Sequence, residues 1–520
     1  MRATPRPAVL APWATASVVV LLLLLVIVRL PWAGDLGMHA ATVQRLRHDL
    51  VDPGDPLVDA DAPSPYYSPW TLVLGCVARV TGLSVFVVLR LGALTGLALL
   101  VTGVWRYVRT LTGHRAAPAL ALLSLLLLWG TAVFKWSGFY GLGSLALTVP
   151  YPSLFALALA FHLWAWLGRV AREGAGWGVW LGLGVLWAVI LLCHQFSGVV
   201  ASLGAAATVV AARPDRATWL RLGGGLAVGL GVLALWPYYD FFALFGAGGG
   251  LESVHRPLYD DLVGRYWLVL LGVVALGVRW WRDRWDPLVL FFLLGAVLVT
   301  AGGVSGHWSW GRALPAVLIP AQVAVAVEVC EAGRRGLRVG WACVLGAALA
   351  LGAWTQAGTV GYVVKPGDLP QAVAQKYRRP WTGYQWMTPW VKYGDVVMAR
   401  EGRPARQVPA YGAYTVAPGY PDFFLPDEER RVGAVRRYFA QGTPEEERAG
   451  ILREYGVRWV IAGVGMRGAG LREVARGPEG QVLYAVERWR GAAGGAGLGA
   501  RSPAIAYSAG EPGVRHLSLG

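Results

Sequence analysis

Charge is what this chain has least of. Only 15% of its 520 residues are Asp, Glu, Lys or Arg, where soluble domains carry about a quarter, so an ordinary water-soluble fold is excluded. Cysteine is scarcer. Cys76, Cys193, Cys330 and Cys343 all lie in apolar stretches without CxxC spacing, which argues against a disulfide framework or a zinc module. Acidic residues number 31 against 47 basic ones, a net charge of +16. In a soluble protein that surplus would point to nucleic acid. Here it gathers in alternate loops, where it fixes topology, and no nucleic-acid partner is expected. A phosphate cradle is missing too, because no strand precedes Gly248-Gly249-Gly250. No internal repeat is evident.

What the chain has is apolar length. Its mean hydropathy is +0.47, and its Leu-, Val-, Ala- and Gly-rich blocks approach the roughly 20 residues that cross a bilayer. Many of its 26 tryptophans sit where a block ends, as interfacial anchors do. Spans are expected near 9–30, 84–105, 116–134, 147–168, 176–193, 196–212, 218–239, 264–279, 287–303, 312–330 and 338–357, about eleven in all. The first run is too long for a secretory signal and lacks a small-residue cleavage site, so it reads as a retained span. With the N-terminus inside, the inner loops hold Arg106, Arg109, Arg115, Arg169, Arg172, Arg213, Arg216, Arg221, Arg279, Arg282, Arg284, Arg334, Arg335 and Arg338, while the outer loops hold few basic residues, as the positive-inside rule requires.

The fold class expected is therefore an α-helical polytopic membrane bundle over 1–357, N-in and C-out, with a small C-terminal extracytoplasmic α/β domain. The first outer loop, 31–67, is long and polar, with a short amphipathic helix at Met38–Leu50. Residues 68–83 are apolar but short, and counting them as a span would place Arg106, Arg109 and Arg115 outside. They read as a juxtamembrane or re-entrant helix. Residues 358–490 are rich in charge, Pro and Tyr, with strands at Asp395–Ala399 and Arg458–Ala462 and a helix at Pro444–Tyr455. Residues 491–520 are Gly- and Ala-rich and read as a disordered tail.

Titratable groups are nearly absent from the span centres, His162 excepted. They collect at the outer ends: His39, His48, His194, His255, His307, Lys135, Asp240, Arg256, Asp260, Asp261 and Arg312. A polar rim over an apolar bundle suits an amphiphile, with its tail in the membrane and its head in the rim. Three stretches stand out. In Gly34-Asp35-Leu36-Gly37-Met38-His39, Asp35 at the membrane surface suits a general base, and equally a helix N-cap. In His194-Gln195-Phe196-Ser197-Gly198, His194 suits hydrogen-bond donation to a phosphate or a sugar hydroxyl, or a polar turn capping two helix ends. In Gly306-His307-Trp308-Ser309-Trp310-Gly311-Arg312, Arg312 opens a helix on the outer side, placed for a phosphate or for snorkelling to headgroups. Asp260-Asp261, with His255 and Arg256, has no specific metal spacing and reads as a solvated loop. No cofactor is expected, although a divalent metal remains compatible.

In order and placement these motifs resemble the glycosyltransferase-C superfamily of membrane enzymes. Trp32-Ala33-Gly34-Asp35 follows the first span as the family's first-loop Asp does. Tyr66-Tyr67-Ser68-Pro69-Trp70, leading into Leu72 to Leu83, and Arg90-Leu91-Gly92-Ala93-Leu94 are similar to its approach to the second span. His194 to Gly198 resembles an "H-x-x-(S/T)-G" hairpin of some bacterial members, and Arg453 to Val460 the ending of such proteins. The resemblance covers most of 1–357 and, more loosely, 358–490. It implies inverting transfer of a sugar from a polyprenyl-phosphate donor to a cell-envelope glycan or glycolipid on the outer membrane face. Asp35 would be the general base and His39 its orienting neighbour. Arg312, His194, Lys135, His307, Arg256 and Tyr67 are assigned to donor phosphate or substrate. Leu36 follows Asp35 where some subfamilies carry a second carboxylate, which argues against a two-carboxylate or metal-dependent mechanism. High Arg, Ala and Gly usage points to a GC-rich bacterial genome. The rival readings are a lipid or glycolipid flippase, against which the near-absence of midplane charge and of repeated halves counts, and a noncatalytic scaffold on the same fold.

Overall fold

The computed structural model describes residues 7–245, 252–466, 468 and 470–487. The tail expected at 491–520 and the Gly248-Gly249-Gly250 stretch lie outside the described residues.

The apolar blocks fold as helices: α1 (Pro7–Arg29), α4 (Val85–Leu111), α5 (Ala117–Leu127), α7 (Pro152–Glu173), α8 (Trp177–Cys193), α9 (Gln195–Ala212), α10 (Arg216–Ala234), α12 (Leu262–Tyr266) running on into α13 (Leu270–Arg282), α14 (Pro287–Ser305), α15 (Pro315–Glu331) and α16 (Arg335–Thr355). Between them lie α2 (Leu36–His48), α3 (Pro69–Thr81), α6 (Leu142–Thr148) and the single turn α11 (Glu252–His255). Among the described residues nine helices are long and apolar enough to cross a membrane, so the chain is a multi-pass membrane protein. Two of the expected spans fall short of that length, α5 with 11 residues and α8 with 17.

The reason α5 stops early is visible in its C-terminal carbonyls, which a helix end must satisfy. The Gln356 and Gln322 amides donate to the carbonyls of Leu126 (3.0 Å) and Leu128 (2.8 Å). Gly352 lies so close that a Cβ would sit 1.8 Å from the Leu127 carbonyl oxygen. The chain then leaves the helix, and the Leu268 amide donates to the Trp129 carbonyl at 2.8 Å. The expected 147–168 span is likewise displaced. Pro150 and Pro152 bracket a break, and the continuous helix begins only at Pro152.

Residues 69–81 form α3, whose N-terminus is a capping box between Ser68 and Thr71. It lies against α2, where an added Cβ on Gly75 would meet the Leu46 side chain at 2.4 Å.

The C-terminal domain contains α17 (Gln371–Ala374), α18 (Arg403–Gln407), α19 (Glu428–Phe439) and α20 (Glu445–Glu454), with strands β1 (Val396–Ala399), β2 (Tyr414–Thr415), β3 (Val457–Gly463), β4 (Leu471–Arg476) and β5 (Gln481–Val486). The sheet order is β2-β1-β3-β5-β4. β1 runs parallel to β2 and β3, and β5 runs antiparallel to β3 and β4. The domain is docked on the first loop. Arg45 is fully buried; it donates to the carbonyls of Gly412 (2.9 Å) and Ala413 (2.6 Å), with its guanidinium 3.5 Å from the Tyr414 ring centroid. Val58 pairs with Thr415, extending the sheet edge. Gly37 admits the Arg406 carbonyl to within 1.8 Å of where a Cβ would be.

Candidate active site

At the end of the bundle that faces this domain lies a cavity of about 480 Å³. The first loop, the α5–α6 connection, the α8–α9 turn and the 308–313 turn meet there, and the C-terminal domain closes one wall.

Asp35 is placed by a kinked connection. After α1, Leu30 and Gly34 both take positive φ (48° and 49°). The next two carbonyls are tied down from opposite sides: the Tyr151 hydroxyl donates to Ala33 at 2.6 Å, and the Tyr420 hydroxyl to Gly34 at 2.9 Å. Asp35 occupies the N-cap position of α2, yet its side chain makes no capping hydrogen bond. Its backbone carbonyl accepts from the His39 amide (3.1 Å), while the carboxylate is left to the cavity. Surrounding protein pushes the carboxyl above its ordinary range, against the opposing pull of a Tyr420 hydrogen bond and the charges of Arg406 and Arg312. One helical turn on, His39 sets its ring edge-on to Tyr151 at 4.6 Å. Burial lowers its pKa to about 3, so it is neutral at physiological pH.

Opposite stands a cationic group. Arg312 is buried, with its guanidinium 4.7 Å from the Phe196 ring centroid and its Nη2 3.2 Å from His194 Nε2. A guanidinium only donates, so His194 Nε2 accepts and its proton sits on Nδ1. That proton goes to Ser197 Oγ at 2.7 Å. The 3.1 Å approach of the Ser197 amide to Nδ1 is then a contact rather than a capping bond. Burial, and then Arg312, hold the imidazole neutral. Among the described residues, no carboxylate comes within ion-pair distance of Arg312. Lys135 lines the same cavity and donates to the Tyr362 hydroxyl at 3.0 Å. Burial, helped by Arg378, lowers its pKa to about 8.

Of the residues singled out in the sequence, the structure brings Asp35, His39, Lys135, His194 and Arg312 together. The other three line no part of this cavity. The Tyr67 hydroxyl donates to the Gly54 carbonyl at 2.8 Å, Arg256 stacks 5.7 Å from Trp308, and His307 bonds Ser305 (2.8 Å) and stacks on Trp310. Asp261 caps α12 by accepting from the Gly264 amide. No set of three His, Cys, Asp or Glu side chains suited to a metal occurs among the described residues. Sequence reasoning missed Tyr151, Arg406 and Tyr420. The Pro150-Tyr151-Pro152 break inside an apolar block was a usable signal for the first. The other two come from a domain hundreds of residues away.

No family model matches the chain, and no curated protein matches it in sequence. Solved structures do. A mutant of the arabinofuranosyltransferase AftD from Mycobacteria superposes with a TM-score of 0.55 at 16% identity, over 91% of this chain and 41% of that one. ArnT from Cupriavidus metallidurans in the apo state gives 0.54 at 16% identity, over 92% of this chain and 98% of that one. The chain has the glycosyltransferase-C fold. The Archaeoglobus fulgidus oligosaccharyltransferase shares it, with a TM-score of 0.50 at 10% identity over 91% of this chain and 75% of that one. The chain spans about two fifths of the arabinofuranosyltransferase's length. ArnT has also been solved bound to undecaprenyl phosphate.

Proposed function

We propose that this protein is a glycosyltransferase that moves a sugar from a polyprenyl-phosphate donor to a hydroxyl of a cell-envelope glycan or glycolipid, with inversion, on the extracytoplasmic side. The observation that carries this reading is the facing pair in one cavity: an uncapped carboxylate of raised basicity, Asp35, and a buried guanidinium without a carboxylate partner, Arg312. A buried charge without a counter-ion is costly unless a ligand supplies one. A lipid phosphate supplies it here, a reading supported by the complex of ArnT, which has the same fold, with undecaprenyl phosphate.

Asp35 removes the proton from the acceptor hydroxyl as its oxygen attacks the anomeric carbon. The bond from that carbon to the phosphate oxygen breaks, and the departing phosphate keeps the electron pair. Its growing charge falls on Arg312, which His194 orients through Nε2, and on Lys135. His39, neutral, packs beside the base without competing for the proton. The clustering of arginine in the opposite loops supports the extracytoplasmic placement. The test is transfer in liposomes from a panel of polyprenyl-phosphate sugars to envelope glycolipid, wild type against Asp35→Asn. Wild-type transfer with a folded, inactive variant is the expected result. Transfer by both removes Asp35 as base, and transfer by neither removes the enzyme.

A further inference from the structure

The C-terminal domain holds a second cavity, of about 630 Å³, that shares no lining residue with the first. It sits at the carboxyl ends of β1 and β3, where β1 runs into Arg400 and β3 into Gly463-Val464-Gly465. From β1 the chain passes to β2 on one side, then returns through α19 and α20 to β3 on the other. The strand order therefore reverses between β1 and β3. Such a switch point leaves a crevice because the two connections diverge from it.

The charges around the crevice are sorted. Nearby Arg403, Arg430, Arg436 and Arg437 each pair with a glutamate. The two arginines that line the crevice, Arg400 and Arg448, have no carboxylate at ion-pair distance among the described residues, and no acidic side chain lines it. Arg448 donates one Nη2 bond to the Ala440 carbonyl (2.8 Å), and its buried Nε is left without a partner. Arg400 lies 5.2 Å from the Phe439 ring centroid, giving the wall one aromatic face beside the two cations. Pro404 in the crevice and Arg406 in the Asp35 cavity belong to the same short helix, α18.

We infer that this crevice binds an anionic sugar residue, a uronate or a sugar phosphate, with Arg400 and Arg448 on the anion and Phe439 against the ring. The choice of a sugar rests on the proposed transferase; the choice of an anion rests on the two arginines alone. Saturation-transfer NMR on the full chain in nanodiscs tests it, with glucuronate, glucose 6-phosphate and glucose as probes and inorganic phosphate as competitor. Signal from the two anionic sugars and none from glucose is expected. The Arg400→Gln/Arg448→Gln double variant should weaken binding at least tenfold, and Asp35→Asn should leave it unchanged. Arg400→Lys, which keeps the charge and loses the fork, gives an intermediate loss and serves if the double variant misfolds. Equal signal from glucose, undiminished binding by the variants, loss of binding in Asp35→Asn, or inorganic phosphate displacing the sugars at equal concentration each overturns the proposal. Binding retained in a chain that shows no transfer keeps the crevice and removes the transferase.

Discussion

Two ends of the bundle bury arginine in opposite ways. At the end away from the cavity, Arg279 meets Asp286 (2.6 Å), Glu328 (3.4 Å) and Glu331 (3.6 Å), while Arg282 grips both oxygens of Glu328 (2.9 and 2.7 Å). Asp286 also caps α14 through the amides of Leu288 and Val289. Every strong donor there has an acceptor, and the cluster ties α13, α14 and α15 together. At the cavity end, Arg312 has an imidazole and an aromatic face and, among the described residues, no acid at ion-pair distance. A satisfied ion cluster holds helices; an unsatisfied one waits for an anion.

Four measurements break or sharpen that contrast. The first is Glu328→Ala, which releases the half-exposed Arg282 and removes one of the three carboxylates around buried Arg279. It should cost about 1–3 kcal/mol, read as a drop in thermal unfolding midpoint in detergent, while the rate per folded molecule stays near wild type. Arg312→Gln should do the reverse: transfer falls about 10²–10³-fold with no loss in unfolding midpoint, because a charge without a counter-ion is removed. Equal destabilisation by both would erase the distinction.

The pH profile is the third. Asp35 must be ionised to act, and its carboxyl lies above the usual range, so activity should fall about tenfold per unit below that raised pKa. Lys135 loses its charge above about 8, so donor KM should rise on the alkaline side. The Lys135→Met variant should lose that alkaline limb and keep the acid one.

The smallest effect concerns a pair of buried acids where the first loop meets the domain, Asp55 and Asp422. Burial raises both; Asp55 further raises the cost of ionising Asp422, while a hydrogen bond from Asp422 eases the ionisation of Asp55. Protonation therefore favours the docked state, and stability falls as pH rises through the folded pKa. Asp55→Asn keeps an oxygen for the Leu57 and Val58 amides, which Asp55 Oδ1 now serves (2.7 and 2.8 Å), and adds a donor for Asp422. It should stabilise the protein by about 1 kcal/mol at pH 8 and by less at pH 5. A larger gain at pH 5 would contradict this arrangement.

The bundle was legible because apolar length is a strong local signal. α4, α9 and α14 stand within a few residues of their expected bounds at the ends nearer the cavity. The signal failed where helix ends are set by partners far along the chain. α5 stops at Leu127 because Gln322 and Gln356, from α15 and α16, take its carbonyls, and composition carries no trace of that. Asp35 could be read as base or cap, and only its geometry shows an N-cap position whose side chain makes no capping bond. Arg312 and His194 were visible as polar residues at apolar ends, but their mutual orientation was not. Tyr67 was visible in a motif, yet its hydroxyl is spent on Gly54. Arg406 and Tyr420 carry no local mark at all, because their role exists only after the domain docks.

That docking has a consequence for the order of biosynthesis. Arg406 and Tyr420 are translated after every helix of the bundle, and Tyr420 pins the peptide immediately before Asp35. A chain still emerging from the ribosome carries the carboxylate on a loop held only by Tyr151, with one wall of the cavity missing. Assembly of the later-made domain thus completes the cavity around the earlier-made carboxylate, and under the proposed function a polypeptide clipped before that domain would be without activity.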